Sequence, residues 1–359
     1  MRILHLADLH LGKIFHDVHL TDDQEYLLDQ AAALAQGERV DTVVIAGDVY
    51  DRAIPPAEAT ELLDRFLSRL VLEYGVRVVI IPGNHDSAER LSFCSRLLRE
   101  RGVYIAADPF SCTPLTLTDS WGGVTLFPVP YIEPISLRQT VRDQEIPDFS
   151  AAYRYLFSRL PVTGRTVCIA HCYAAGGEGS ESERPLAIGG ASLVDVDIFS
   201  PFTLTLLGHL HRPQRVAETV WYAGAPLRYS FSELDHRKEL AIYDIGADGT
   251  VTRSTFPVTP RRELRAVRGT LEEIIRMGES DPAREDYLSV TLTDRGALFD
   301  YGAKIREVYP NVLSIVREVR DGEGGIVSPG EVRRLTDLEI ITRFYGYVGN
   351  DLEEERRGC

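Results

Sequence analysis

Cysteine is scarce and poorly placed for cross-linking: Cys94, Cys112, Cys168, Cys172 and Cys359 are odd in number and contain no C-x-x-C pair. That argues against a disulfide framework or a thiolate zinc site, and it fits a reducing cytoplasm. Positive charge is in deficit, 39 Lys and Arg against 54 Asp and Glu, for a net charge of −15. A general basic coat for polyanions is therefore excluded, so any attraction to nucleic acid must be local, metal-borne or supplied by a partner. Long apolar runs are missing as well; residues 76–82 are typical of the longest, far short of the ~20 residues a membrane helix needs. The opening Arg2-Ile3-Leu4-His5-Leu6 has none of the basic, apolar and small-residue parts of a secretory leader. Internal repeats and low-complexity tracts are absent too.

What is present is an ordinary globular composition, 44% hydrophobic and 26% charged, in a chain of 359 residues. That is more than one core usually serves, so about two domains are expected. Up to Gly102, β-branched runs at 3–7, 42–46 and 76–81 alternate with helical patterns, which predicts βαβ units and a largely parallel sheet. Thr21 with Gln24 resembles a capping box, opening a helix that buries Tyr26, Leu27, Ala31 and Leu34. Pro55-Pro56 opens a second helix that Gly75 closes, and a third is predicted over 87–101. Extended runs around Trp121-Gly122-Gly123 predict a hairpin in a second sheet, followed by a helix over 149–160 and strands at 166–170, 203–207, 220–222 and 240–245. The stretch 174–190, rich in Gly, Ser and Glu, is long for a connection and reads as a functional loop. After Pro257, strands at 264–267, 287–292 and 312–316 alternate with two helices, predicting a small α+β unit. A linker around 321–330 and a helix over 338–348 complete the pattern; that helix is too small to make a core of its own and needs something to pack against.

The chemistry-bearing residues gather at strand ends. Asp8-Leu9-His10, Gly47-Asp48, Gly83-Asn84-His85-Asp86, Ala170-His171 and Gly208-His209-Leu210-His211 each fall at or just past the C-terminal end of a predicted strand. That is the edge where open α/β sheets build their sites. Each alone is a common accident, since a Gly-Asp after a strand is usually a turn and a lone histidine there usually a hydrogen-bonded structural residue. Five of the nine histidines in equivalent positions of successive strands are a different matter. Gly47, Gly83 and Gly208 allow sharp turns and a close approach of backbone to an ion. Oxygen and imidazole donors without thiolate suit Mn²⁺, Fe, Zn²⁺ or Co²⁺ better than Ca²⁺ or Mg²⁺ alone. The donors Asp8, His10, Asp48, Asn84, His171, His209 and His211 are too many for one such ion. Two ions sharing a carboxylate use the whole set and suit in-line displacement at phosphorus.

The ordered set D-x-H, GD, GNHD, H and GHxH resembles the calcineurin-like metallophosphoesterases. Three stretches narrow the resemblance: Asp8-Leu9-His10-Leu11-Gly12-Lys13, Glu181-Ser182-Glu183-Arg184-Pro185 running to Gly189-Gly190, and His209-Leu210-His211-Arg212-Pro213-Gln214. With Gly224-Ala225-Pro226 and Tyr229-Ser230-Phe231 they look like the Mre-type nuclease family of break repair, in its bacterial SbcCD branch. The resemblance implies a two-sheet α/β sandwich flanked by helices, and a metal-dependent DNA exonuclease and endonuclease. It implies two divalent ions, with Mn²⁺ expected. Asp8, His10, Asp48 and His211 would hold one; Asp48, Asn84, His171 and His209 would hold the other, Asp48 being the bridge. His85 would contact the phosphate and protonate the leaving oxygen. Asp86 either orients His85 or is a helix N-terminal carboxylate beside Ser87. Lys13, Arg52, Arg184 and Arg212 lie near ligand motifs, and of these Lys13 and Arg184 are the candidates for backbone phosphates.

The same resemblance divides the chain into a nuclease domain over 1–257, a DNA-selecting capping domain over 258–320, and a linker with a short partner-binding helix over 321–359. It implies DNA as substrate, an SMC-like ABC ATPase of the SbcC type as partner, and a homodimer formed by the helices near 57–73 and 87–101, whose apolar faces equally suit intrachain core. No membrane contact is implied. Asp51 stands where archaeal relatives carry a substrate-handling histidine, so that role does not transfer. Relatives also carry a longer helical pair at the end, where a single helix is evident here. The metal motifs equally fit a phosphodiesterase or phosphatase acting on a small nucleotide or a phosphoprotein; the ESERP stretch and the capping unit favour the nuclease.

Overall fold

The computed structural model describes residues 1–110, 112–142, 145–183 and 192–318. They form two compact units, the first running from Met1 to Glu263 and the second beginning at Leu264. Strand Thr42–Ala46 shows how the layers of the first unit arise. All of it is buried, Val43 and Ile45 in one apolar cluster and Val44 and Ala46 in another. Successive side chains of a strand point to opposite faces, so a strand apolar on both must lie between two cores. Arg77–Ile81 repeats the pattern, with Val78 and Ile80 on one side and Val79 and Ile81 on the other.

One six-stranded sheet has the order Val251–Pro257, Glu239–Ile245, Arg2–Leu6, Thr42–Ala46, Arg77–Ile81, Val103–Ile105. The second runs Gln214–Ala217, Val220–Tyr222, Leu204–Gly208, Thr166–His171, Gly122–Val129, Leu115–Asp119. They face each other across Ile3, Val44, Val79, Val124, Val167 and Leu206. Helices Thr21–Gly37 and Ala57–Ser68 cover the outer face of the first sheet. Pro134–Val141 and Phe149–Phe157 cover that of the second. This is the expected α/β two-sheet sandwich.

Its details differ from the expectation in three places. The first sheet is mixed: Arg2–Leu6 pairs parallel with Thr42–Ala46 but antiparallel with Glu239–Ile245, which the Ala247-Asp248-Gly249 turn folds onto Val251–Pro257. Thr21 is the first helical residue and makes no cap, while Gln24 is fully buried and Tyr26 is 43% exposed. The helix predicted over 87–101 is two short ones, Ala88–Leu91 and Ser95–Arg99, parted at Cys94 with φ 58°. Ser92 helps to end the first of them by turning its hydroxyl onto the Glu89 carbonyl at 3.1 Å, an alternative to helical hydrogen bonding.

The first unit extends past 257 because the chain there is tied back. Gln30 Nε2 donates to the Thr259 carbonyl at 2.8 Å, and Arg262 pairs with Asp23 at 2.9 Å. The second unit has three parallel strands in the order Leu264–Gly269, Tyr287–Leu292, Val312–Arg317. Helices Leu271–Ser280 and Tyr301–Val308 contribute Ile274 and Ile305 to a core with Leu288, Val290 and Leu292. A capping box opens the first of these helices, with Thr270 and Glu273 bonding each other's backbone N–H. The linker around 321–330 and the helix over 338–348 lie outside the described residues. Among the described residues no helix is long and apolar enough to cross a membrane.

Candidate metal centre

All seven predicted ligands meet at one edge of the first unit, where strand ends of both sheets converge. Asp8 and His10 follow Arg2–Leu6, Asp48 follows Thr42–Ala46, and Asn84 follows Arg77–Ile81. From the second sheet, His171 ends Thr166–His171, while His209 and His211 follow Leu204–Gly208. Asp8, His10 and Asp48 have φ of 53°, 45° and 49°, and His209 has 105°. Non-glycine residues adopt such angles only where the surroundings hold them. Here Asp8 N–H donates to the Gly47 carbonyl and His10 N–H to that of Asp48, each at 3.0 Å. The Asp8 carboxylate in turn accepts the His209 N–H at 2.9 and 3.1 Å. A Cβ on Gly208 would lie 2.0 Å from the Ala46 carbonyl oxygen, so only glycine admits this approach of the two sheets.

The donor atoms of Asp8, His10 and His211 lie within 4.8 Å of one another, as do those of Asp48, His171 and His209. A third group joins His10 to Asp51 and His85. Hydrogen bonds decide which ring nitrogens are available. His171 Nδ1 lies 2.9 Å from the Ala46 carbonyl, an acceptor, so Nδ1 carries a proton. Its Nε2 then faces Asn84 Oδ1 at 3.0 Å and Asp48 Oδ2 at 3.4 Å. His209 Nδ1 meets the same Asn84 oxygen at 3.2 Å, while Asn84 Nδ2 is buried without a partner. On the other side the Nε2 atoms of His10 and His211 face each other at 3.2 Å. Imidazole nitrogens and carboxylate oxygens gathered within 4.8 Å of one another in each trio form a donor set that fits divalent cations.

The electrostatics carry the same signature. Burial pushes His10 down to about 4 and His209 to about 3, and pushes Asp8 up to about 7. Burial also opposes charge on Asp48, yet His171, His10 and His85 hold its carboxyl well below the usual range. The Asp48 carboxylate likewise overcomes the burial of His171 and raises it to about 9. Paired titratable groups driven apart in a buried cluster mark a functional site.

His85 sits beside the cluster, its ring edge-on to His10 at 4.8 Å between centroids, with Nδ1 donating to the Asp51 carbonyl at 2.9 Å and its N–H to Asp48 Oδ1 at 2.9 Å. Asp86 takes neither expected role. Its carboxylate accepts the N–H groups of Val49, Tyr50 and Gly83 at 3.1, 2.9 and 2.8 Å, bolting the Asp48 turn to the Asn84 turn, and Ser87 is the helix cap. Lys13 Nζ lies 2.8 Å from Asp51 Oδ1, so its charge is already paired. Arg212 pairs with Asp235 and Glu178, Arg52 is exposed, and Arg184 lies outside the described residues.

The residue pattern leaves several contributors unmarked. Gln24, fully buried, accepts the Gly12 N–H at 3.0 Å and donates to the carbonyls of His10 and Leu9 at 2.7 and 3.2 Å, so the expected capping residue braces the Asp8-Leu9-His10 turn instead. The Tyr229 hydroxyl reaches the same Leu9 carbonyl at 2.5 Å, and Glu233 faces His211. Gln24→Ala strands the buried Gly12 N–H and takes one of two donors from each of the Leu9 and His10 carbonyls, which keep the Tyr229 hydroxyl and the Lys13 N–H. It is expected to cost about 2 kcal/mol, read by urea denaturation of the metal-free chain.

These observations define a dinuclear-type phosphoesterase centre, and sequence comparison agrees. Residues 1–213 match the calcineurin-like phosphoesterase family, and 260–348 match the type 5 capsule protein repressor C-terminal domain. The chain belongs to the calcineurin-like phosphoesterases and, within them, to the family of SbcD, the D component of the nuclease SbcCD. Proteins so named from Staphylococcus epidermidis and Staphylococcus saprophyticus are each 32% identical to it, over 96% and 97% of this chain and 92% and 93% of their own. A dimetal phosphatase structure from Danio rerio overlaps 72% of this chain and 99% of its own at a TM-score of 0.42 and 13% identity.

Proposed function

We propose that the chain is the nuclease component of a two-part DNA-processing machine, hydrolysing phosphodiester bonds as an exonuclease and endonuclease. The observation that carries the reading is the convergence of Asp8, His10, His211 and Asp48, His171, His209 as two adjacent buried donor trios. Asp8, His10, Asp48 and His211 would hold one ion, and Asp48, Asn84, His171 and His209 the other. Manganese is the ion we expect. Bound there, the pair supplies a Lewis acid for the scissile phosphate and lowers the pKa of an attacking water.

The protein's own groups do the rest. Asp8 and Asp48 offset part of the charge of the centre while the neutral imidazoles supply lone pairs, and the left-handed turns hold them in place before substrate arrives. His85, its Nδ1–H committed to the Asp51 carbonyl, keeps Nε2 for the substrate; carrying a second proton there as the imidazolium, it would contact the phosphate and pass that proton to the leaving oxygen. Lys13 reaches a backbone phosphate by sharing its charge with Asp51, and Arg184 is the second phosphate contact. The 258–320 segment would help select DNA as a capping domain. The segment beyond it recruits an SMC-like ABC ATPase, a reading supported by the staphylococcal relatives being named as one component of SbcCD. A cytoplasmic homodimer acting in repair, recombination and hairpin removal completes the reading.

With a net charge of −15, the chain by itself is expected to bind DNA weakly and with a steep salt dependence, the partner supplying the clamp. The test compares manganese-dependent cleavage of duplex and hairpin DNA with that of a chromogenic phosphodiester. Cleavage of the DNA substrates, stopped by chelation, is expected. Turnover of the small ester alone would assign the centre to a phosphodiesterase of another kind.

A further inference from the structure

We infer that Glu233 and Ser182 are positioning residues that fix the tautomer and aim of His211, and so govern one of the two ions selectively. The inference rests on the metal-centre reading above. Glu233 is completely buried, an unusual place for a carboxylate. Its Oε1 accepts from His211 Nδ1 at 3.0 Å, from the Ser182 hydroxyl at 2.6 Å and from the Tyr229 N–H at 3.3 Å. Its Oε2 is held by Lys238 Nζ at 2.5 Å, and the same ammonium donates to the His211 carbonyl at 2.8 Å. Ser182 Oγ lies 2.9 Å from His211 Nδ1, and the neighbouring Glu183 accepts the His211 N–H at 2.7 Å.

An ionised carboxylate can only accept. With Glu233 as its partner, Nδ1 of His211 must carry the proton, which leaves the Nε2 lone pair facing His10 Nε2 at 3.2 Å. Core packing alone does not call for this arrangement, because apolar side chains of similar volume usually stabilise a buried site as well as an ion pair does. What the carboxylate adds is a fixed ring and a more basic donor, as in carboxylate–histidine–metal triads. His171 differs, for its Nδ1 is held by the Ala46 carbonyl, which no side-chain substitution removes. Of these two ligands, His211 alone has its tautomer set by side chains. Ser182 also lies in the Glu- and Ser-rich loop that the sequence marks as functional, and its hydroxyl gives that loop a direct hold on the centre.

The test uses the full chain with manganese as probe, in two readouts. Titration calorimetry should find two ions on the wild type. In Glu233→Gln one of the two should weaken 10- to 100-fold while the other is unchanged. In the metal-free chain, ¹⁵N chemical shifts of the histidine rings should give His211 as the Nδ1–H tautomer in the wild type and a mixture in Glu233→Gln. Should loss of the Lys238 counter-ion unfold that variant, Ser182→Ala carries the same test, with a weakening of several-fold. Wild-type affinities in both variants would overturn the inference and leave the centre standing. So would equal weakening of both ions together with a lowered melting temperature, which describes a structural residue. A wild type that takes up no pair of ions would overturn both readings.

Discussion

Asp48→Ala is expected to abolish binding of both ions and to lower cleavage at least about 10³-fold, equivalent to about 4 kcal/mol of barrier. The Asp48 carboxylate reaches both halves of the centre: Oδ2 lies 3.4 Å from His171 Nε2 and 3.9 Å from His10 Nε2, while Oδ1 accepts the His85 N–H at 2.9 Å. Its removal takes negative charge from between imidazoles that otherwise repel one another, and it frees the His85 backbone. Ion stoichiometry and turnover should therefore fall together, with circular dichroism to show that the fold persists. Retention of both ions in this variant would mean that the two donor trios do not share a ligand.

His85→Ala should separate what Asp48→Ala joins. The ring belongs to neither trio built on Asp8 or Asp48 and is anchored by the Asp51 carbonyl. Ion binding is expected to stay within about two-fold of wild type, since His85 is not a ligand, whereas cleavage drops by about 10² to 10⁴, the usual contribution of a positioned acid–base group. A substrate with a good leaving group should be hit less, because it needs no proton on departure. Equal losses on good and poor leaving groups would assign His85 to phosphate binding alone.

The ligands were legible in the sequence because each sits in a short motif at a strand end, where Gly47, Gly83 and Gly208 announce a close approach. The strands themselves announced their depth through continuous apolar runs such as Thr42–Ala46. Strand direction was harder to read. The Ala247-Asp248-Gly249 turn reverses the chain onto Val251–Pro257, but nothing in the residue pattern told that Glu239–Ile245 would lie antiparallel beside Arg2–Leu6.

The bracing layer was the least legible part. Gln24 has the spacing of a capping residue, and it lost that role because the buried carbonyls of Leu9 and His10 draw its amide inward. Glu233 and Lys238 belong to no motif in the sequence, and only the tertiary fold turns them inward onto His211. Asp86 was legible as important but not in its role, since three backbone N–H groups from two different turns converge on it only once both turns are formed.

The most direct measurement is a crystal structure of the chain soaked in manganese, phased on the anomalous signal of the metal. Two peaks are expected at the strand-end edge, one ringed by Asp8, His10 and His211 and the other by Asn84, His171 and His209, with Asp48 touching both. A single peak, or peaks away from these side chains, would contradict the account.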